Sequence, residues 1–151
     1  MSRRRELLKA SGVIKNGLVA GSVGSGTSVA EVNSDGNVVI TRLGTAWSNR
    51  VQCPFKFPIN VSAGDTVRVK LTRIVAGASG FFNLYLIGTP SDISIATNQS
   101  INFGNAIPAD KSATVSADRE LTAFSISRRN NDMTTPTTFS VQIYVNGVEQ
   151  F

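Results

Sequence analysis

Two stretches of the chain alternate without a break. Thr66–Leu71 sets Val67, Val69 and Leu71 against Thr66, Arg68 and Lys70, and Phe139–Val145 sets Phe139, Val141, Ile143 and Val145 against Ser140, Gln142 and Tyr144. Successive side chains of a strand point to opposite faces, so this period of two builds ribbons with one apolar face and one wet face. The same residues wound into a helix would scatter their apolar groups around the axis. Shorter candidates follow the same rule at 81–88 (FFNLYLIG), 92–98 (DISIATN), 113–117 (ATVSA) and 121–127 (LTAFSIS). VAEV and NVVITRL flank Asn33-Ser34-Asp35-Gly36, a hairpin in which Asp-Gly supplies the positive φ angles. Turn residues separate the strands at 63–65, 77–80, 89–91, 105–111 and 128–138. About eight or nine short strands with no helix between them predict an all-β antiparallel sandwich, arranged as a jelly roll.

Composition agrees with one such domain. The 151 residues suffice to bury a core without disulfides or metal. Only 17% are charged, against roughly a quarter in typical domains, and Ser, Thr, Asn and Gly take their place on the expected wet faces. The formal charge of +5 is unevenly spread along the chain. Arg3, Arg4, Arg5, Lys9 and Lys15 oppose only Glu6 in the first fifteen residues, whereas the rest carries ten basic and nine acidic side chains. Helical spacing of Leu7, Leu8, Ile14 and Leu18 occurs only at the start, where a short helix is expected from about Arg3 to Ala10, ordered by a partner. The predicted layout is thus a basic arm over 1–19, a flexible Gly/Ser linker over 20–28 and a β-domain over 29–151. No stretch approaches the roughly 20 apolar residues of a membrane helix.

The chain contains no histidine, which removes the commonest general base, nucleophile partner and metal ligand. Cys53 is the sole cysteine, and its strand-like setting predicts a buried, inert thiol. Asp118 and Glu120, two apart, read as the solvated edge of a strand. Gly21, Gly24 and Gly26 lack the Lys-Ser/Thr ending of a phosphate loop. An enzyme is not expected, nor is a cofactor or a bound metal. Binding residues are easier to nominate. Trp47, in the polar run GTAWSNR, is either a plug between sheets or a platform for a sugar ring or an apolar partner. Tyr85 and Tyr144 fall opposite the apolar positions of their strands and should face outward. Arg128 and Arg129 open a polar loop with Asn130, Asn131 and Asp132, either a solvated turn or a contact between subunits.

The first dozen residues carry two resemblances. RRELLKASG resembles a twin-arginine export signal: Arg4 and Arg5 match the pair, Leu7 and Leu8 the apolar positions and Lys9 the closing base, with Ser28-Val29-Ala30 as a cleavage site. Lys15 and Asn16 interrupt the apolar stretch such a signal needs. The SRRRELL start, the Gly/Ser segment and the β-domain together resemble small virion structural proteins, of the tailed-bacteriophage fibre, decoration and appendage type. That resemblance implies a virion location and a homo-oligomer, a trimer in a fibre or knob, docked on other virion proteins through Arg3, Arg4, Arg5, Leu7, Leu8 and Lys9. The export resemblance implies a secreted sugar-binding module using Trp47. A third use of the same arm is contact with packaged nucleic acid, ranked lower because about five cations give a weak, salt-sensitive grip.

Overall fold

The structure, a computed structural model, describes residues 17–45, 47–129 and 131–151. The predicted helix and the arm residues Arg3, Arg4, Arg5, Leu7, Leu8 and Lys9 lie outside the described residues, as does Asn130.

Among the described residues, eleven strands form two antiparallel sheets packed as a sandwich: β1 (Gly21–Ser22), β2 (Val29–Val32), β3 (Val38–Arg42), β4 (Val51–Val61), β5 (Thr66–Val75), β6 (Ser79–Thr89), β7 (Ile93–Asn102), β8 (Ala109–Thr114), β9 (Arg119–Arg128), β10 (Thr137–Val145) and β11 (Val148–Glu149). The first sheet runs β1-β2-β3-β10-β5-β8, with β11 on β10, and the second runs β4-β9-β6-β7. The pairs are nested: β6 with β7, β5 with β8, β4 with β9 and β3 with β10. A long ribbon, doubled at the β6–β7 turn, is therefore rolled so that β10 also meets β5 and β9 also meets β6. This is the jelly roll.

The alternation fills the space between the sheets. Val67, Val69 and Leu71 of β5, Phe139 and Ile143 of β10, Phe82, Leu84 and Leu86 of β6, and Phe124 and Ile126 of β9 are fully buried. Each such side chain contributes about 1.5–3 kcal/mol relative to leaving it in water. Phe103, in the β7–β8 connection, is clamped between Phe82 and Phe139, with ring centroids 5.1 and 5.2 Å away. Val145, expected inward, reaches the end of the sandwich and is only partly covered.

Two expectations about boundaries need correction. The strand expected at 113–117 lies at Ala109–Thr114, inside what reads as a loop, because β5 selects it: Arg68 grips Asp110 with two bonds of 2.6 and 2.7 Å. Its sparse apolar content suits an edge strand. The Gly/Ser segment, expected to be flexible, instead laces the two sheets together at one edge. Gly21 and Ser22 pair with β2, Leu18 and Gly24 bridge to β4, and the Gln52 amide donates to the Val23 carbonyl at 3.1 Å. Leu18 is 1% exposed and belongs to the core, so the domain extends at least to Gly17. Gly17 itself lies where any side chain would strike the ring of Phe151.

Candidate functional site

The β3–β4 connection presents Trp47 on a single turn of 3-10 helix, Trp47–Asn49. Asn49 holds that turn from inside: its amide donates to the Thr45 carbonyl at 2.7 Å and its side-chain oxygen accepts from the Thr27 amide at 3.0 Å. The Ser28 hydroxyl donates to the Asn49 carbonyl and accepts from the Gly44 amide. The loop is thereby bolted to the lacing segment. Trp47 is 45% exposed and so is not a plug between the sheets. Arg50 stacks on one indole face at 4.3 Å, donating to the Trp47 carbonyl and to Gln52. Tyr85 meets the indole at right angles, 5.4 Å between centroids.

Strand register explains why these residues meet. Tyr85 of β6 and Gln52 of β4 both lie opposite Ser125 of the central strand β9, on the outer face of the second sheet. Ala123, Ser125 and Ser127 are small and buried on that face, so the larger neighbours lean over them. The Ser125 hydroxyl has no hydrogen-bond partner among the described residues. The result is an aromatic and amide ridge with one indole face occupied.

The other nominated residues are not part of that ridge. Tyr144 faces outward, as expected, but from the opposite sheet, where Arg68 covers its ring at 4.8 Å. Arg128 lies on Phe82, 4.9 Å from the ring, and donates to the Ser79 carbonyl at 3.1 Å. Its Nε and Nη1 are buried without partners among the described residues, and this desolvation lowers the guanidinium pKa. Arg129 is exposed, its amide donating to the Phe81 carbonyl. Asp118 accepts from the Ala63 amide at 2.9 Å, so it serves as a turn cap. Cys53 is fully buried, and burial pushes its thiol up to about 12.

Sequence reading misses how the fold sorts charge. The connections β3–β4, β5–β6, β7–β8 and β9–β10 share one end of the sandwich, and there Arg42, Arg50, Arg73, Arg128 and Arg129 face only Asp132 among the described residues. Asp132 is engaged by Arg42 at 2.7 Å. The connections β4–β5, β6–β7 and β8–β9 share the other end, where Asp65, Asp92, Asp118 and Glu120 outnumber Arg119. A body that is almost neutral in total is thus polarised along its strands. The basic end also holds exposed Ile74, Val75, Phe81 and Ile107 as well as Trp47. The signal was available in the sequence: once strands alternate in direction, every second connection falls at the same end, and the arginines favour one set. No protein-family model matches the chain, and no curated protein matches it.

Proposed function

We propose that this protein is a non-enzymatic structural component of a virus particle, a capsid-associated, fibre or tail protein held in place by its N-terminal basic arm. The observation that carries this reading is the nested eight-strand roll, an architecture used by capsid and lectin domains, in a chain that opens with a basic, leucine-containing segment. Arg3, Arg4 and Arg5 would pair with acidic groups of a receiving protein while Leu7 and Leu8 fill an apolar groove, and repetition over many copies offsets the entropy of ordering. The lacing segment supports retention of the arm. Cutting after Ala30 would remove Leu18, Val23 and Ala30 from the core and half of β2, which weighs against the export reading. The partners are other virion proteins and further copies of the chain.

Deleting residues 2–12 tests the reading. The truncated protein should keep the parent's circular dichroism and melting temperature yet fail to enter particles assembled in its host. Normal incorporation would overturn the anchor.

The exposed Trp47 beside Tyr85 favours one second reading, glycan binding. The Arg50 guanidinium already covers one stacking face, which weighs against it. Nucleic-acid contact through the arm would instead appear as incorporation that falls steeply with salt.

A further inference from the structure

The opposite charges at the two ends of the sandwich cannot satisfy each other within one chain. Strands of ten or eleven residues separate them by about 30 Å, several times the screening length of about 8 Å at physiological ionic strength. At the basic end the arginines surround apolar side chains that a free surface has no reason to gather: Ile74 and Val75 finish β5, Phe81 stands at the start of β6 and Ile107 precedes β8. Arg128, two of whose guanidinium nitrogens are buried without a partner among the described residues, adds its charge to that end. At the acidic end a groove of about 320 Å³, lined by Asn60, Ser62, Asp65, Asn146 and Val148 among others, opens between β4 and the β10–β11 hairpin. Asp65 and Asp118 cap turns there, and hydrogen bonds from the Ser62 amide and Asn146 hold the Asp65 carboxyl below its usual range, so it stays charged.

We infer that copies of this chain associate head to tail, the apolar and arginine-rich end of one domain seating on the acidic end of the next. Such a contact joins two different patches, so it generates a ring where the rotation closes and a filament where it does not. The charge complement carries much of the affinity and fixes polarity, since head-to-head and tail-to-tail approaches set like charges together, and burial of Phe81, Ile74 and Val75 adds to it. The inference concerns the domain alone and does not rest on the virion reading.

Light scattering on the full chain tests it. At low ionic strength the mass should rise with concentration to about twice the chain mass or more, and fall back to the monomer near 1 M salt, where the screening length is about 3 Å. Two double variants, Arg73→Glu with Arg129→Glu and Asp118→Lys with Glu120→Lys, should each stay monomeric while keeping the parent's circular dichroism. An equimolar mixture of the two should form heterodimers, because the second variant keeps the parent's basic end and the first keeps the parent's acidic end, which together restore one unaltered contact. A monomeric parent at low salt, variants that associate like the parent, or a mixture that stays monomeric would each overturn the inference. Should a charge reversal unfold the domain, Phe81→Ser replaces it: association weakened about tenfold is expected, and unchanged association overturns the contact. A parent that assembles only when an oligonucleotide is added would show a phosphate-binding end instead.

Discussion

At the scale of single residues, the fold uses Cys53 as a small hydrophobe and Arg128 as a buried cation over a ring. Cys53 is sealed inside β4 opposite Phe124, where ionisation would strand a thiolate among apolar neighbours. The thiol should therefore react with a disulfide reagent at pH 8 at least about a thousandfold more slowly in the native protein than in denaturant, since reagent reaches it only through opening. A thiol raised from about 9 in the unfolded chain favours the folded state below that pH, and the contribution is lost progressively as pH climbs from there toward 12. Native and denatured labelling rates that coincide would mean the strand is open. The inert thiol was legible from sequence because Cys53 sits in apolar alternation. The position of Trp47 was not, because a polar run sets no facing for an indole until Asn49 and Ser28 fix its turn.

Among elements, the alternating strands could be read directly, and β5, β6, β9 and β10 appear where period two places them. β8 was misplaced because its identity comes from its partner: Asp110 and Ser112 matter only against Arg68 and Lys70. The lacing segment hid for a related reason. Its glycines look like slack, yet they permit close approach, and Gly24 already has the backbone of Ser28 where a side chain would go. Leu18→Ala isolates the weight of this element. Truncating a 1% exposed leucine should cost about 2–5 kcal/mol, seen as a lower urea midpoint, whereas removal of residues 2–12 should leave that midpoint unchanged. Equal and small effects would mean that the edge is held without Leu18.

For the whole molecule, the sandwich and its roll followed from strand count and spacing, while the polarity of its charge did not, because a sum along the chain erases position. The nested pairing also governs how such a chain leaves the ribosome. Every strand from β3 to β6 has its ribbon partner in the second half, arranged in reverse order. During synthesis the first half must wait, its apolar faces uncovered, until β7 emerges and β8, β9 and β10 close the pairs from the middle outward. A pause in translation before β7 would prolong exposure of β4, β5 and β6, whereas one placed after β10 would find the ribbon already shut.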